Sequence, residues 1–327
     1  HAVGLDALAS LPVIANSMRA EGYDFALPAD IATALNSQTQ PYALSDYLTA
    51  LDSLPEPLRD DLLTAWGAPH DDPLFQNDAF HFPSFRAGKS LVALQPERGD
   101  VQTRADSYHD LSRTPRHSYV AFYLWLRGQD ALIHMGAHGT LEWLPGKSVA
   151  LSDACWPEVL LGQTPVIYPF IVNDPGEAAQ AKRRIGAVTL GHMPPPLADA
   201  GLPENLARLE RLLDEYATAD GLDPARRNRL IAAIRDEAAS SGVAEDLGLP
   251  ADASPAEAIP RIDRFVCDIK ESQYGDGLHI YGQAAGEMDG LITALNGARV
   301  TSGPAGSPYR RGDVTPTGRN LYSVDPR

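Results

Sequence analysis

Two histidines and a glutamate recur at intervals of four residues, as His134, His138 and Glu142. Imidazole and carboxylate groups suit a borderline divalent ion such as cobalt, and a carboxylate can also take up a proton as a base. Gly136 and Gly139 interrupt the segment, so we expect an irregular, tightly turned loop and not one helical face. The residues by themselves favour a hydrogen-bonded polar loop over a metal site.

The segments around this loop predict an α/β unit. Residues 131–133 and 164–172 are short apolar runs typical of strands. Asp174 then provides a helix N-cap, followed by Pro175 at the first helical position and by Glu177 three residues after the cap. This order of strand, polar loop, strand, helix and strand predicts a parallel or mixed sheet with flanking helices and with ionisable groups at the strand ends.

The predicted helix after Asp174 carries charge at both ends. Asp174 and Glu177 are explained by capping, although a helix N-terminus also favours a bound anion. Lys182, Arg183 and Arg184 near the other end either complement the helix C-terminus or bind carboxylates of a substrate. Both interpretations stay open for each end.

Two glycine–lysine–serine triplets resemble the end of a phosphate-binding loop, but neither has its spacing. That loop requires a glycine five residues before its second glycine, and these positions hold Leu141 and Pro83. Pro145 also removes a backbone N–H donor from the first triplet. We therefore predict no ATP site in this sequence.

Composition narrows the class of protein. The chain has 327 residues and a formal net charge of −16, which disfavours binding to nucleic acid. No apolar run approaches the roughly 20 residues of a membrane span, and no signal peptide is recognised. Cys155 and Cys267 form neither a disulfide framework nor a zinc spacing, which fits a reducing cytoplasm.

We predict four segments along the chain. Residues 1–88 form a helical and loop-rich leading segment, with helices within 5–20 and 28–66, a helix cap at Ser45, and loops over 68–88. Residues 89–200 form the α/β core, with a strand at 90–94 and an apolar helix at 118–126. Residues 201–272 form a helical segment with an inserted hairpin and a linker at 240–254. Residues 273–327 form a trailing segment with a strand at 278–281 and a helix at 287–295.

Several long segments carry a family resemblance. Residues 134–147 read HMGAHGTLEWLPGK, residues 168–184 read YPFIVNDPGEAAQAKRR, and residues 192–196 read HMPPP. Together with PTGRN at 316–320, they resemble the large subunit of the aerobic cobaltochelatases (CobN type) and the related large subunit of magnesium chelatase. The resemblance is clear from about residue 90 onward and loose before it. Because members of that family are several times longer, we expect this chain to be a fragment of such a subunit.

The resemblance implies insertion of a divalent metal into a tetrapyrrole. Residues 173–177, NDPGE, are similar to the cobalt branch, which implies cobalt(II) as substrate metal and hydrogenobyrinic acid a,c-diamide as the tetrapyrrole in cobalamin biosynthesis. The resemblance also implies separate AAA+ ATPase subunits, which hydrolyse the ATP that the insertion reaction requires. The alternatives are magnesium insertion into protoporphyrin, a non-catalytic tetrapyrrole-binding or scaffold fragment, and a metallohydrolase.

The resemblance also implies roles for individual residues. Glu142 is expected to act as a base or metal relay, and His138 as a metal ligand with His134 as a third one. Aromatic walls for the macrocycle are available in Trp143, Trp156 and Tyr168. The remaining expected substrate-binding residues are Lys182, Arg183, Arg184, Asp174, Glu177, His117, Arg319 and Asn320.

Overall fold

The structure is a computed structural model, and it describes residues 4–99, 111–136, 139–194, 204–219, 224–250, 253–272, 278–308 and 311–322. Within these ranges the chain forms two β-sheets, helices on both faces of the second sheet, and a separate group of helices. The predicted mixed α/β architecture is confirmed. No helix in the described ranges is both long enough and apolar enough to cross a lipid bilayer.

Four helices precede the first sheet or lie between its strands in the chain: α1 (Ala7–Ala20), α2 (Ile31–Ser37), α3 (Leu44–Asp52) and α4 (Glu56–Trp66). Asp6 and Asp30 cap α1 and α2, since each carboxylate accepts a backbone N–H three residues later at 2.9 Å. The prediction that Ser45 caps the third helix is wrong, because α3 already begins at Leu44 and has no side-chain cap.

The first sheet is antiparallel and contains β1 (Thr39–Ala43), β2 (Phe75–Gln76), β3 (Ala79–Ala87) and β4 (Ser90–Ala93). The prediction of a loop-rich stretch over 68–88 is wrong for residues 79–87, which form β3 and pair with all three other strands. Pro83 lies where the pairing with β1 ends and the pairing with β4 begins, so its missing N–H interrupts neither ladder.

The second sheet has the strand order β5-β6-β7-β9-β8. Its parallel part is formed by β5 (Leu132–Ile133), β6 (Val166–Ile171) and β7 (Val188–His192), connected by α6 (Trp156–Leu161) and α7 (Pro175–Ile185). All six residues of β6 are buried, because helices cover both faces of the strand. β8 (Ser302–Pro304) and β9 (Asn320–Tyr322) extend the sheet, with β9 antiparallel to β7.

The two faces of this sheet pack into different apolar cores. Tyr168 and Phe170 of β6 face the core that contains α5 (His117–Leu126), whose residues are all buried except Trp125. Ile167 and Leu190 face the other core, together with residues of α1 and α12 (Glu287–Leu295). Successive strand residues point to opposite faces, so neighbouring polar residues in β6 and β7 can belong to separate sites.

The helical segment has a core of its own, which includes Leu209, Ile234 and Ile262. It contains α8 (Glu204–Ala219), α9 (Pro224–Ser240), α10 (Val243–Asp246) and α11 (Pro255–Ser272). The predicted hairpin is formed by α8 and α9, and the predicted linker contains α10. The predicted strand at 278–281 is reduced to one bridge between Leu5 and His279. The predicted boundaries between the four segments remain predictions. β3 and β4 pair across the first boundary, which lies between residues 88 and 89.

Candidate active site

His134, at the carboxyl end of β5, meets Tyr168 in the middle of the neighbouring strand β6. His134 directly follows β5, and its backbone N–H donates to the carbonyl of Ile167 at 2.9 Å. Its imidazole stacks on the Tyr168 ring with centroids 4.4 Å apart and planes 9° apart. The Tyr168 side chain is fully buried, while His134 is partly exposed. In open α/β sheets the carboxyl ends of the strands are where ligands bind.

Glu142 lies in a 3₁₀ helix, Leu141–Trp143, and is fully buried. Its Oε1 accepts hydrogen bonds from the backbone N–H of Gly139 at 3.1 Å and from the Tyr168 hydroxyl at 3.3 Å. A buried carboxylate is costly unless such donors compensate for the lost water. Tyr168 therefore contacts both His134 and Glu142, which lie eight residues apart in the sequence.

A glycine is required at position 139 because there is no space for a side chain. A Cβ at that position would lie 2.4 Å from His134 Cε1 and 2.7 Å from the Tyr168 hydroxyl oxygen. In the sequence this glycine is recognisable only as a helix breaker. The structure shows that it also lets the loop backbone approach the stacked rings closely.

Of the three predicted metal-binding residues, the structure describes His134 and Glu142. His138 lies outside the described residues, so its predicted role as metal ligand stays a prediction. Among the residues that are described, no group of three or more histidine, cysteine, aspartate or glutamate side chains is arranged to hold a metal ion.

Arg184 holds the loop that carries Glu142. Its side chain is 2% exposed, and its guanidinium donates to the carbonyls of Lys147, Glu142 and Leu144 at 3.0, 2.5 and 2.7 Å. The planar fork of an arginine suits several carbonyls at once. This geometry gives Arg184 a structural role and lends no support to the predicted contact with substrate.

A second network fixes the beginning of the same loop. Thr140 Oγ1 contacts Gln95 Nε2 at 2.6 Å and the Tyr119 hydroxyl at 2.8 Å. Tyr119 lies in the buried helix α5, so the Glu142 loop is tied to the core of the molecule on that side as well. No spacing in the sequence signals this contact, because its members are far apart in the chain.

The predicted cap of α7 is confirmed. Asp174 Oδ1 accepts the backbone N–H of Glu177 at 3.3 Å, and the helix begins at Pro175. Gly186, at φ 62°, ends the helix in the left-handed conformation. Capping explains Asp174 by itself, and the predicted substrate contacts of Asp174 and Glu177 stay predictions.

Lys182 and Asn320 are brought together from positions 138 residues apart, since the lysine Nζ donates to Asn320 Oδ1. Burial lowers the pKa of Lys182 to about 8. Arg183 in the same turn is partly exposed. Arg319, beside Asn320, donates to the carbonyls of Pro316 and Asp313 at 2.9 and 2.5 Å and so stabilises its own loop.

His117 is a core residue. It is 1% exposed, and its ring nitrogens contact the Tyr47 hydroxyl at 2.6 Å and the Gly67 carbonyl at 3.0 Å. Burial lowers the pKa of His117. Since both nitrogens are already hydrogen-bonded, the geometry does not support its predicted substrate contact.

The predicted aromatic walls differ in exposure. Trp156 and Tyr168 are 1% and 0% exposed, so neither presents a ring face to a macrocycle in this structure. Trp143 is partly exposed, and its carbonyl accepts a hydrogen bond from Arg98 at 2.8 Å. Of the three, Trp143 is the one that fits a wall.

A second buried polar cluster was not foreseen as a unit. Glu287, at the start of α12, accepts hydrogen bonds from His279 Nε2 at 2.8 Å, Met193 N at 3.0 Å and Gly282 N at 2.6 Å. The His192 ring stacks on His279, with centroids 5.6 Å apart. Burial raises the pKa of Glu287, but hydrogen bonds from His279 and the backbone outweigh it and leave the pKa lowered.

The two clusters lie on opposite faces of the sheet. His192 has the same orientation in β7 as Leu190 and therefore faces the core shared with α12, whereas Tyr168 faces the core shared with α5. The sequence signals for the second cluster were separate: His192 opens the HMPPP segment, and His279 lies eight residues before the helix-initial Glu287. We infer from this separation that Glu142 and Glu287 do not serve one site.

Comparison with known proteins places this geometry in a family. The family model described as CobN/Magnesium Chelatase matches residues 1–287 and 283–327. The chain is 42% identical over 302 residues to the aerobic cobaltochelatase subunit CobN of a Sinorhizobium species, covering 87% of this chain and 24% of that protein. It is also 42% identical over 324 residues to the Pseudomonas aeruginosa CobN subunit, covering 93% of this chain and 26% of that protein.

More distant relatives and a solved structure agree. The magnesium-chelatase H protein of Rhodobacter capsulatus is 30% identical over 298 residues, which cover 81% of this chain and 24% of that protein. The catalytic subunit of cobaltochelatase from Mycobacterium tuberculosis superposes with a TM-score of 0.66 at 29% identity, covering 98% of this chain and 38% of that chain. This chain spans about a quarter of the length of the CobN relatives. On these matches, which extend over nearly all of its residues, the chain belongs to the CobN/Magnesium Chelatase family.

Proposed function

We propose that this chain forms the part of a cobaltochelatase large subunit in which Glu142 serves the insertion of a metal ion into a tetrapyrrole. The observation that carries the proposal is the buried Glu142 carboxylate, which Tyr168 and Gly139 hold beside His134 at the carboxyl end of β5. The metal is cobalt(II), and the tetrapyrrole is hydrogenobyrinic acid a,c-diamide.

The chemistry of metal insertion explains why a carboxylate is needed. Two pyrrole N–H protons must leave as the metal ion exchanges its water ligands for ring nitrogens, and a base near the ring centre speeds this exchange. Glu142 takes the role of this base or of a relay for the metal. His134 and His138 offer the imidazole ligands that a cobalt ion would use before insertion.

The full burial of Glu142 adds a requirement to this proposal. A carboxylate with no exposed surface cannot touch a macrocycle, so we propose that the Glu142 side chain or the groups that cover it move when the tetrapyrrole binds. The backbone stays in place, because Arg184 holds the carbonyls of Glu142 and Leu144 and Thr140 is tied to the core.

The edge of the tetrapyrrole carries carboxylates and amides, which require cationic and amide partners. Lys182 and Asn320 form one such pair at the surface between α7 and β9, with Arg183 in the next position. We propose that these three residues bind the substrate periphery and that Trp143 packs against the ring. Arg319 lies beside Asn320, and we propose it as a further contact there; Asp174 and Glu177 are proposed contacts at the opposite end of α7.

Cobalt is preferred over magnesium because of the degree of similarity. The two cobaltochelatase relatives are 42% identical to this chain, whereas two magnesium-chelatase H proteins are 28% and 30% identical. Magnesium insertion into protoporphyrin is the second candidate. Insertion rates with Co²⁺ and Mg²⁺, each tested with both tetrapyrroles, distinguish the two functions directly.

Partner proteins complete the proposed reaction. The sequence has no acceptable phosphate-binding loop, so we assign ATP hydrolysis to separate AAA+ subunits and the remaining walls of the site to the rest of the large subunit. We place the assembly in the cytoplasm.

The test is the substitution Glu142→Gln in the full-length subunit, assayed with its ATPase partners. It preserves the size of the side chain and removes the basic oxygen, so insertion should fall by roughly 10²-fold or more. Tetrapyrrole binding, measured by fluorescence quenching, should remain within about twofold. The matched control is Glu158→Gln, the same change at an exposed position of α6, which should leave both quantities unchanged.

The alternatives predict other results. Unchanged insertion in Glu142→Gln would remove Glu142 from the mechanism. Tetrapyrrole binding by the wild-type subunit without any metal insertion would support a non-catalytic scaffold. Hydrolysis of a substrate without a tetrapyrrole would point to a metallohydrolase.

A further inference from the structure

We propose that Tyr168 is the positioning residue of this site, which fixes the Glu142 carboxylate and the His134 imidazole relative to each other. The inference rests on the proposed function of Glu142 and extends it. It assigns Tyr168 a role different from that of an aromatic wall for the macrocycle.

The contacts of Tyr168 carry the inference. Its hydroxyl donates to Glu142 Oε1 at 3.3 Å, and one ring face is covered by the His134 imidazole at 4.4 Å between centroids. The Phe170 ring packs against the Tyr168 ring in a T-shaped contact, with centroids 5.0 Å apart and planes 70° apart. The side chain is fully buried, so no face of the ring is left for a flat substrate.

The backbone behind Tyr168 is suited to this role. The residue lies in the middle of β6, which pairs with strands on both sides and is buried along its whole length. Glu142 and His134 both lie on or next to an irregular loop. Tyr168 contacts both groups from a central strand. It therefore holds two residues of a less regular segment in fixed positions relative to each other, as a preorganised site requires.

Gly139 supports the same assignment. A side chain at that position would collide with His134 Cε1 and with the Tyr168 hydroxyl oxygen. The absence of a side chain is what allows the Gly139 N–H and the Tyr168 hydroxyl to reach the same carboxylate oxygen. Two donors from different elements thus fix the direction of Oε1.

The experiment uses the full-length subunit with its ATPase partners and compares Tyr168→Phe with Tyr281→Phe. Tyr168→Phe preserves the ring stacked on His134 and removes only the hydroxyl. Tyr281 is the matched control: it is equally buried, and its hydroxyl donates to the Glu287 carbonyl at 2.9 Å on the other face of the sheet. Each variant therefore loses one buried hydrogen bond.

Four quantities are measured for each variant: kcat for metal insertion, KM for the tetrapyrrole, the melting temperature, and the infrared carboxylate band of Glu142. The band is identified by its disappearance in Glu142→Gln. We expect Tyr168→Phe to lower kcat roughly tenfold, which corresponds to one hydrogen bond, with KM for the tetrapyrrole within about twofold. The Glu142 band should shift in Tyr168→Phe and remain in place in Tyr281→Phe.

The outcomes separate this inference from the proposed function. An unshifted band and an unchanged kcat in Tyr168→Phe would overturn the positioning role, as would an equal loss of kcat in Tyr281→Phe. If the wild-type assembly inserts no metal, or if Glu142→Gln inserts it normally, the proposed function fails. The band shift then still decides whether Tyr168 positions the carboxylate.

Discussion

Arg184 stabilises the Glu142 loop through three backbone carbonyls, and this contact can be tested at the level of one residue. Arg184→Lys keeps the charge but replaces the planar fork by a single ammonium group, which cannot reach all three acceptors. We expect a loss of about 1–3 kcal/mol in the free energy of unfolding, because buried carbonyls lose their donors. The free energy of unfolding of the variant and of the wild type is measured by urea denaturation.

Arg183→Lys is the matched control for that substitution. Arg183 lies in the same turn of α7 and is partly exposed, so the same change should alter the free energy of unfolding by less than about 0.5 kcal/mol. Equal losses in both variants would show that the carbonyl contacts of Arg184 contribute little.

His192 predicts a pH dependence of stability. Burial lowers the pKa of His192 to about 4, and the ordinary value is 6.5. The unfolded chain therefore binds a proton at higher pH than the folded chain, and stability falls as the pH drops from about 6.5 towards 4. The groups facing His192 are His279, Glu287 and Tyr281. The loss approaches about 3 kcal/mol at the lower end.

Glu287 acts in a different pH range and does not obscure this effect. Its lowered pKa contributes stability that is present above the ordinary value of 4.5 and is lost as the pH falls below it. The measurement is the free energy of unfolding between pH 4.5 and 6.5 for the wild type and for His192→Phe. A slope of the same size in both proteins would contradict the assignment to His192.

At the scale of elements, α12 packs against the loop before β9 without side chains between them. A Cβ at Gly290 would lie 2.0 Å from the Gly318 carbonyl oxygen, and one at Gly318, which has φ +78°, would lie 1.9 Å from the Gly286 carbonyl oxygen. Gly290→Ala must therefore push the helix away from the loop. We expect a loss of at least about 2 kcal/mol in the free energy of unfolding.

Gly128→Ala provides the comparison for Gly290→Ala. A Cβ at Gly128 meets no atom within 4 Å, and its φ requires no glycine, so this variant should stay within about 0.5 kcal/mol of the wild type. Thermal unfolding of the two variants side by side measures the difference. A Gly290→Ala variant as stable as Gly128→Ala would show that the close approach of α12 is not needed.

At the scale of the whole molecule, we predict that this chain does not insert metal by itself. Its candidate phosphate-binding loops have the wrong spacing, with Leu141 and Pro83 where glycines are required. A site that binds both the metal and the ring must also release the product, and an external conformational change driven by ATP would do this.

The measurement is the absorption spectrum of the tetrapyrrole in a mixture of purified chain, cobalt and ATP. The spectrum should remain that of the metal-free ring. The same mixture with the full-length subunit and its ATPase partners should show the spectral change of insertion. Insertion with consumption of ATP by this chain alone would prove the prediction wrong.

Several features of this protein were predictable from the sequence because they depend on neighbouring residues. The cap at Asp174 and the buried helix α5 were both recognised from local patterns. The long strand β3 was missed, because it is formed by pairing with β1 along its first half and with β4 along its second half. That arrangement depends on segments far away in the chain.

The chemistry available to this protein can be read from its residue types and family motifs, since these are local information. Which of these groups act together depends on the tertiary structure. It buried His117 and Arg184 with backbone partners, joined Lys182 to Asn320, and separated the Glu287 cluster from Glu142 by the thickness of a sheet. The physical reason is that burial and contact between distant residues follow from strand register and packing, and no spacing within a single segment encodes them.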